Sequence, residues 1–104
     1  MMREPDAGRL VERALVRAAA QAGIVLDVIT ADAEPWASVT FSGARHTLRV
    51  ETASGERIAR WLDALPDLDL PVAGHLIADA VVVTRHDDGV RVEAELELLS
   101  VADR

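Results

Sequence analysis

The sequence predicts an α+β domain in which the elements follow the order α-β-β-β-α-β-β. We expect a single, mainly antiparallel five-stranded sheet with two helices packed on one face. Two segments, 6–22 and 54–65, carry apolar residues at the three- and four-residue spacing of amphipathic helices. Two further stretches alternate apolar and polar residues on either side of a glycine turn, as β-hairpins do. The chain has 104 residues, a usual length for one domain, so we expect one unit over 1–104.

The composition excludes several kinds of site. The chain has no cysteine, which rules out disulfides, zinc–thiolate sites, iron–sulfur clusters and thiol nucleophiles. The net charge is −7, and every basic residue other than histidine is arginine, a preference typical of a GC-rich bacterial genome. An acidic domain without a basic stripe repels the nucleic-acid backbone, so we expect no nucleic-acid partner.

The amino-terminal residues do not resemble a targeting segment. They are polar and acidic, without the charged and then apolar pattern of a secretory signal. No apolar run approaches the ~18 residues that cross a bilayer. We therefore expect a cytoplasmic domain without a membrane partner.

The first helix is expected over residues 6–22. Asp6 can cap its amino terminus, and Gly23 supplies the left-handed conformation that commonly ends a helix. Its apolar face consists of Leu10, Val11, Ala14, Leu15, Ala18 and Ala22. A short β-branched segment, 24–30, then predicts the first strand.

Residues 36–41 and 44–51 predict the first hairpin, with Ser42-Gly43 as its turn. This turn would pair Ala37 with Leu48 and place the apolar residues of both strands on one face. That face comprises Ala37, Val39, Phe41, Ala44, His46, Leu48 and Val50.

The second helix is expected over 54–65, capped by Ser54 and ended by Pro66. An extended connection over 66–75 follows, and its leucines are expected to pack against the domain.

The second hairpin joins strands 76–86 and 90–99 through the Asp-Gly signal within residues 87–89. Two registers are open. A two-residue turn leaves Asp79 on the core face, whereas a three-residue loop places it on the face that carries Glu93, Glu95 and Glu97.

Two predicted strand segments, 24–30 and 76–84, are apolar on both faces, whereas a sheet covered on one side needs only one apolar face. This surplus predicts burial against a partner, most simply a second copy in a two-fold homodimer, or another protein. The residues expected at the interface are Val25, Ile29, Trp36, Ala78, Ala80 and Val82. In the alternative, these strands are central and the 66–75 connection covers them.

No residue pattern identifies a reaction. The chain has no serine in a nucleophile elbow, no phosphate-binding glycine loop and no histidine pair at metal-ligand spacing. We therefore expect no catalytic residue, cofactor or metal. Gly74 allows a ligand to approach His75 closely, which makes His75, together with Asp79, a candidate for ligand binding.

The sequence thus favours a non-enzymatic domain that acts through self-association or partner binding. The alternative is a small-molecule-binding or enzymatic domain with a pocket near His75 and the 66–75 connection.

Overall fold

Four antiparallel strands form the sheet, and two helices pack on one of its faces. The structure, a computed structural model, describes residues 6–103. Its elements are α1 (Ala7–Gln21), β1 (Asp27–Ala37), β2 (Ser42–Ala53), α2 (Glu56–Ala64), β3 (His75–Asp87) and β4 (Arg91–Ala102), with a 3₁₀ turn (Leu65–Asp67) after α2. The strand order in the sheet is β1-β2-β4-β3. The α+β class and the antiparallel sheet are confirmed. The expected five strands are wrong, because the described chain has four, in the order α-β-β-α-β-β.

One long strand, β1, replaces the two strands predicted over 24–30 and 36–41. The residues between them, predicted as a connection, pair with β2; Pro35, for example, lies opposite Ala44. A proline is tolerated here because β1 is an edge strand, where a missing N–H need not break the ladder. Pro35 therefore lies within a strand at the edge of the sheet and does not end a strand.

The first hairpin turns at residues 38–41 instead of at Ser42-Gly43. The Ser38 N–H donates to the Phe41 carbonyl at 2.7 Å, and the Phe41 N–H donates to Ser38 Oγ at 3.0 Å. Local bonds from a serine hydroxyl stabilise such turns. The turn pairs Ala37 with Ser42, so the predicted pairing of Ala37 with Leu48 is wrong.

This shift changes the predicted core face on one strand only. Val39 and Phe41 are exposed at the turn. The predicted residues of β2 are buried as expected: Ala44, His46, Leu48 and Val50.

The core lies between the helices and the inner face of the sheet. Val11, Leu15 and Ala19 of α1 and Ile58, Trp61 and Leu62 of α2 are its helical members. Asp6 caps α1 as predicted, because its carboxylate accepts the Arg9 N–H at 2.8 Å. Leu70 and Val72 of the 66–75 connection are also buried in this core.

The second hairpin adopts neither of the two registers considered. The Asp88 carboxylate accepts the N–H groups of Val90 and Arg91, each at 2.8 Å, and so closes the turn. The resulting register pairs Asp87 with Val92.

Two bulges, at Ala78 and Val83, interrupt the alternation of β3. They explain why this strand appears apolar on both faces when an uninterrupted alternation is assumed from the sequence. Each bulge inserts one residue and so exchanges the two faces of the strand. Ile77, Ala80 and Val82 consequently all join the core. These three apolar residues of β3 therefore fill the domain's own interior, whereas Leu76, Ala78, Val81 and Val83 are exposed.

Within residues 6–103, neither helix is long and apolar enough to cross a membrane.

Candidate functional site

The face of the sheet opposite the helices carries no packed element from the described part of the chain. We call it the open face. On β4 it holds the odd-numbered residues, because the even-numbered ones from Val92 to Ser100 are buried in the core. The pairing then assigns to it the odd-numbered residues of β2 from Gly43 to Glu51. On the edge strands it holds Asp27, Thr30, Asp32 and Glu34 of β1 and Leu76, Asp79, Val81, Thr84 and His86 of β3.

One end of the open face is apolar. Trp36 lies opposite Gly43, Gly43 opposite Val101, and Val101 opposite Leu76, so these residues form one row across all four strands. Leu99 follows Val101 on the same face of β4. We call Leu76, Leu99 and Val101 the apolar row. Trp36 is not included, because its indole lines a groove on the helix side of the sheet although its backbone lies in this register. Leu76 remains 61% exposed, which leaves this apolar surface accessible to a partner.

Gly43 lets the strands approach closely in this row. A Cβ added there would overlap the Ser100 carbonyl oxygen and would lie 3.0 Å from Cζ2 of the Trp36 indole. The position therefore requires glycine, both for the pairing of β2 with β4 and for the placement of the indole.

The rest of the open face is acidic. It holds eight carboxylates and three arginines, a net charge of −5 with histidine counted as neutral. The carboxylates are Asp27, Asp32, Glu34, Glu51, Asp79, Glu93, Glu95 and Glu97, and the arginines are Arg45, Arg49 and Arg91. Most of the net charge of the whole chain, −7, therefore lies on one side of the sheet.

Only part of this charge is neutralised by neighbours. Arg49 Nε lies 3.1 Å from Glu93 Oε1, and Arg91 Nη2 lies 3.2 Å from Asp27 Oδ2. Glu95 joins no ion pair among residues 6–103, and the same is true of Glu97 and Asp79. Exposed pairs of this kind stabilise a fold by only about 0–1 kcal/mol, so their main effect is on the field of the face.

The two parts of the open face meet along β4. Its outward residues read Val101, Leu99, Glu97, Glu95 and Glu93, apolar at one end and acidic at the other. The turn at the apolar end, with Val39 and Phe41 exposed, adds further apolar surface beside Trp36.

The interface residues predicted from the sequence do not lie on one common surface. Trp36 is half-buried at the end of edge strand β1, whereas Ala80 is buried in the core. Val82 also packs against the core. The other three lie elsewhere: Val25 in the loop before β1, Ile29 at a bulge of edge strand β1, and Ala78 at a bulge of edge strand β3.

Sequence reasoning missed the apolar row. It ended the last strand at residue 99, so Val101 was not assigned to any face. The sequence nonetheless contains a signal for it. Leu99 and Val101 continue the alternate positions of Glu93, Glu95 and Glu97, so the outward face of this strand changes from acidic to apolar.

A groove of about 1100 Å³ lies on the helix side of the sheet, between the start of α1 and the end of the strands. Its lining includes Gly8, Ala33, Trp36, His46 and His75. Two histidines predicted on separate elements are therefore brought to one groove.

His46 is the buried member of this pair, with 1% of its surface exposed. Its Nε2 lies 2.7 Å from Ser100 Oγ, and the Ser100 hydroxyl donates to the Ala44 carbonyl at 3.3 Å. Burial lowers the pKa of His46, the neighbouring His75 lowers it further, and Asp6 acts in the opposite direction. The neutral ring is thus favoured, with its Nε2 hydrogen-bonded to the Ser100 hydroxyl.

His75 lies at the start of β3 and also lines a smaller cleft of about 440 Å³ with residues 68–73. Its Nδ1 is buried without a hydrogen-bond partner among the described residues, and the same holds for Trp36 Nε1. The structure does not bring His75 and Asp79 together. His75 lines the groove on the helix side, whereas Asp79 lies opposite Leu99 on the open face.

The described residues contain no group of three or more histidine or acidic side chains arranged to hold a metal ion. Ser100, although hydrogen-bonded to a histidine, has no exposed surface from which to attack a substrate. Comparison of the chain with protein-family models, with curated proteins and with solved structures gives no match.

Proposed function

We propose that this chain is a protein-binding domain whose binding surface is the open face. The observation that carries the proposal is the apolar row. The solvated face of an antiparallel sheet is expected to be polar, yet here Leu76, Leu99 and Val101 lie side by side on it. An exposed apolar patch with a polar rim is typical of protein interfaces.

The charge of the open face favours a different protein over a second copy. A two-fold dimer places the same surface of both chains in contact. Here it would bring together two faces of net charge −5. Like charges across an interface oppose association, so the homodimer predicted from the sequence is the less favoured form of this proposal.

The test uses a displayed library of random peptides, selected on the immobilised chain. We expect a set of peptides whose binding is lost in Leu76→Asp and retained in Val90→Asp. The two positions are matched, since both are exposed aliphatic residues, at 61% and 74%, and Val90 lies in the turn at the far end of the sheet. Binders that are equally sensitive to both variants, or insensitive to Leu76→Asp, would contradict the proposal.

A second copy is tested separately by sedimentation at about 100 μM chain. We expect a monomer in 0.15 M salt, where charges within about 8 Å still interact. A dimer that Leu76→Asp dissociates would show that the open face binds its own copy.

A second candidate function is small-molecule binding in the groove beside α1. Two buried side-chain nitrogens, Trp36 Nε1 and His75 Nδ1, have no hydrogen-bond partner among residues 6–103, and both residues line this groove, which favours this candidate. Buried polar atoms normally find a partner, and a ligand is one way to supply it. A compound that raises the melting temperature of the wild type but not of His75→Ala would support this candidate. Equal stabilisation of both proteins would place the compound elsewhere.

A further inference from the structure

We infer that the partner segment is a basic amphipathic α-helix lying along β4, with apolar side chains on the apolar row and arginine or lysine side chains over Glu97 and Glu95. This inference rests on the proposed function, because it specifies what binds the open face.

The backbone of the open face determines the conformation of the segment. β4 is paired on both sides, with β2 and with β3, so its N–H and C=O groups are already used in the sheet. A segment laid across it in an extended form would bury backbone groups without partners, which costs free energy for each group. An α-helix satisfies these groups internally and presents only side chains. A strand could pair with the sheet only at β1 or β3, away from the centre of the apolar row.

The charge of the face determines the chemistry of the segment. Glu95 and Glu97 are half-buried and join no ion pair among residues 6–103. On β2, the position opposite Glu97 is Thr47, so no arginine faces Glu97 directly. Arg49 lies opposite Glu95 but forms its ion pair with Glu93. A cation brought to this position by a partner would gain attraction without displacing an existing pair. An anionic segment would meet a net charge of −5.

The order of residues on β4 determines how apolar and basic residues are distributed along the partner segment. From Val101 to Glu93 the outward side chains span eight residue steps, or about 27 Å. A helix of about 18 residues covers this length. One end of it must be apolar, over Val101 and Leu99, and the other basic, over Glu97 and Glu95. An evenly basic segment would leave the apolar row uncovered.

The experiment analyses the peptides that bind the wild-type chain and fail to bind Leu76→Asp. We expect them to be enriched in arginine and lysine relative to the unselected library, and to become helical on binding, as measured by circular dichroism. In the double variant Glu95→Gln/Glu97→Gln we expect affinity to fall about tenfold or more, as is found for charge pairs at interfaces. The matched control is Glu12→Gln/Glu56→Gln, which changes the net charge equally on the helices and should alter affinity less than twofold.

The outcomes separate this inference from the proposed function. Peptides that depend on Leu76 but show no basic enrichment, or that bind Glu95→Gln/Glu97→Gln as tightly as the wild type, overturn the basic helix and leave the open face as the binding surface. Peptides that depend on Leu76 and bind in an extended form overturn the helical conformation. If no selected peptide depends on Leu76, the proposed function itself is overturned.

Discussion

His46 Nε2 lies 2.7 Å from Ser100 Oγ, and this bond joins β2 to β4 inside the domain. It is a bond between strands that are adjacent in the sheet but separated by 54 residues in the chain. Both residues are buried, so each supplies the hydrogen bond that the other needs away from water.

Ser100→Ala is expected to destabilise the domain, because it leaves Nε2 of His46 buried without its hydrogen-bond partner. Such a loss typically costs about 1–3 kcal/mol. Urea unfolding at pH 7.5 measures it. The exposed Ser42→Ala serves as the control and should stay within about 0.5 kcal/mol of the wild type. Equal stability of Ser100→Ala and the wild type would show that the bond contributes nothing.

The stability of the fold is expected to fall as the pH is lowered from 8 to 5.5. Burial and His75 lower the pKa of His46 in the folded state, whereas in the unfolded chain its pKa is near the ordinary histidine value of about 6.5. Above that value both states hold a neutral ring and the stabilisation is complete. As the pH falls through 6.5 the unfolded state takes up a proton that the folded state does not, so the free energy of unfolding decreases.

The control for this pH dependence is His46→Gln, which removes the titrating ring. Urea unfolding at several pH values should give a smaller slope for the variant than for the wild type across the same range. Identical slopes would assign the pH dependence to other groups.

Gly43→Ala is expected to destabilise the pairing of β2 with β4. The added methyl group would overlap the Ser100 carbonyl oxygen, and overpacking of this kind typically costs about 1–3 kcal/mol. Thermal unfolding followed by circular dichroism measures the effect, and Trp36 fluorescence, in a Trp61→Phe background, reports whether the indole moves. A variant as stable as its background would mean that the strands can separate at this position without loss.

Val82→Glu and Val81→Glu form a matched pair that tests the register of β3. Val82 packs against the core, whereas Val81 lies on the open face and is 37% exposed. A carboxylate at 82 must be desolvated and should cost about 2 kcal/mol or more, whereas one at 81 should cost well under 1 kcal/mol. The reverse order in urea unfolding would place the bulges at other residues.

The amphipathic patterns were sufficient to predict the class of the fold. The spacing of Val11 and Leu15 predicted a helix that buries them, and the alternation of β4 predicted its inner face. These features are local, and burial of an apolar face selects the same structure that the pattern indicates.

Features that depend on how the strands are arranged relative to one another could not be predicted from the sequence. Pro35 reads as a strand end unless the strand is known to lie at an edge. The two bulges of β3 carry no marker in the sequence, yet they move Ala80 and Val82 from a supposed partner interface into the core. The apolar row combines residues of β3 and β4, so its members are recognised as neighbours only once the strand order and register are known.

The binding surface is tested most directly by methyl NMR of the labelled chain, titrated with a selected peptide to saturation. The methyl groups of Leu76, Leu99 and Val101 should shift, while those of Leu15 and Leu62 in the core should not. If the methyl groups of the apolar row remain unchanged at saturation, or the shifts are confined to residues of the groove beside α1, the open face is not the binding surface.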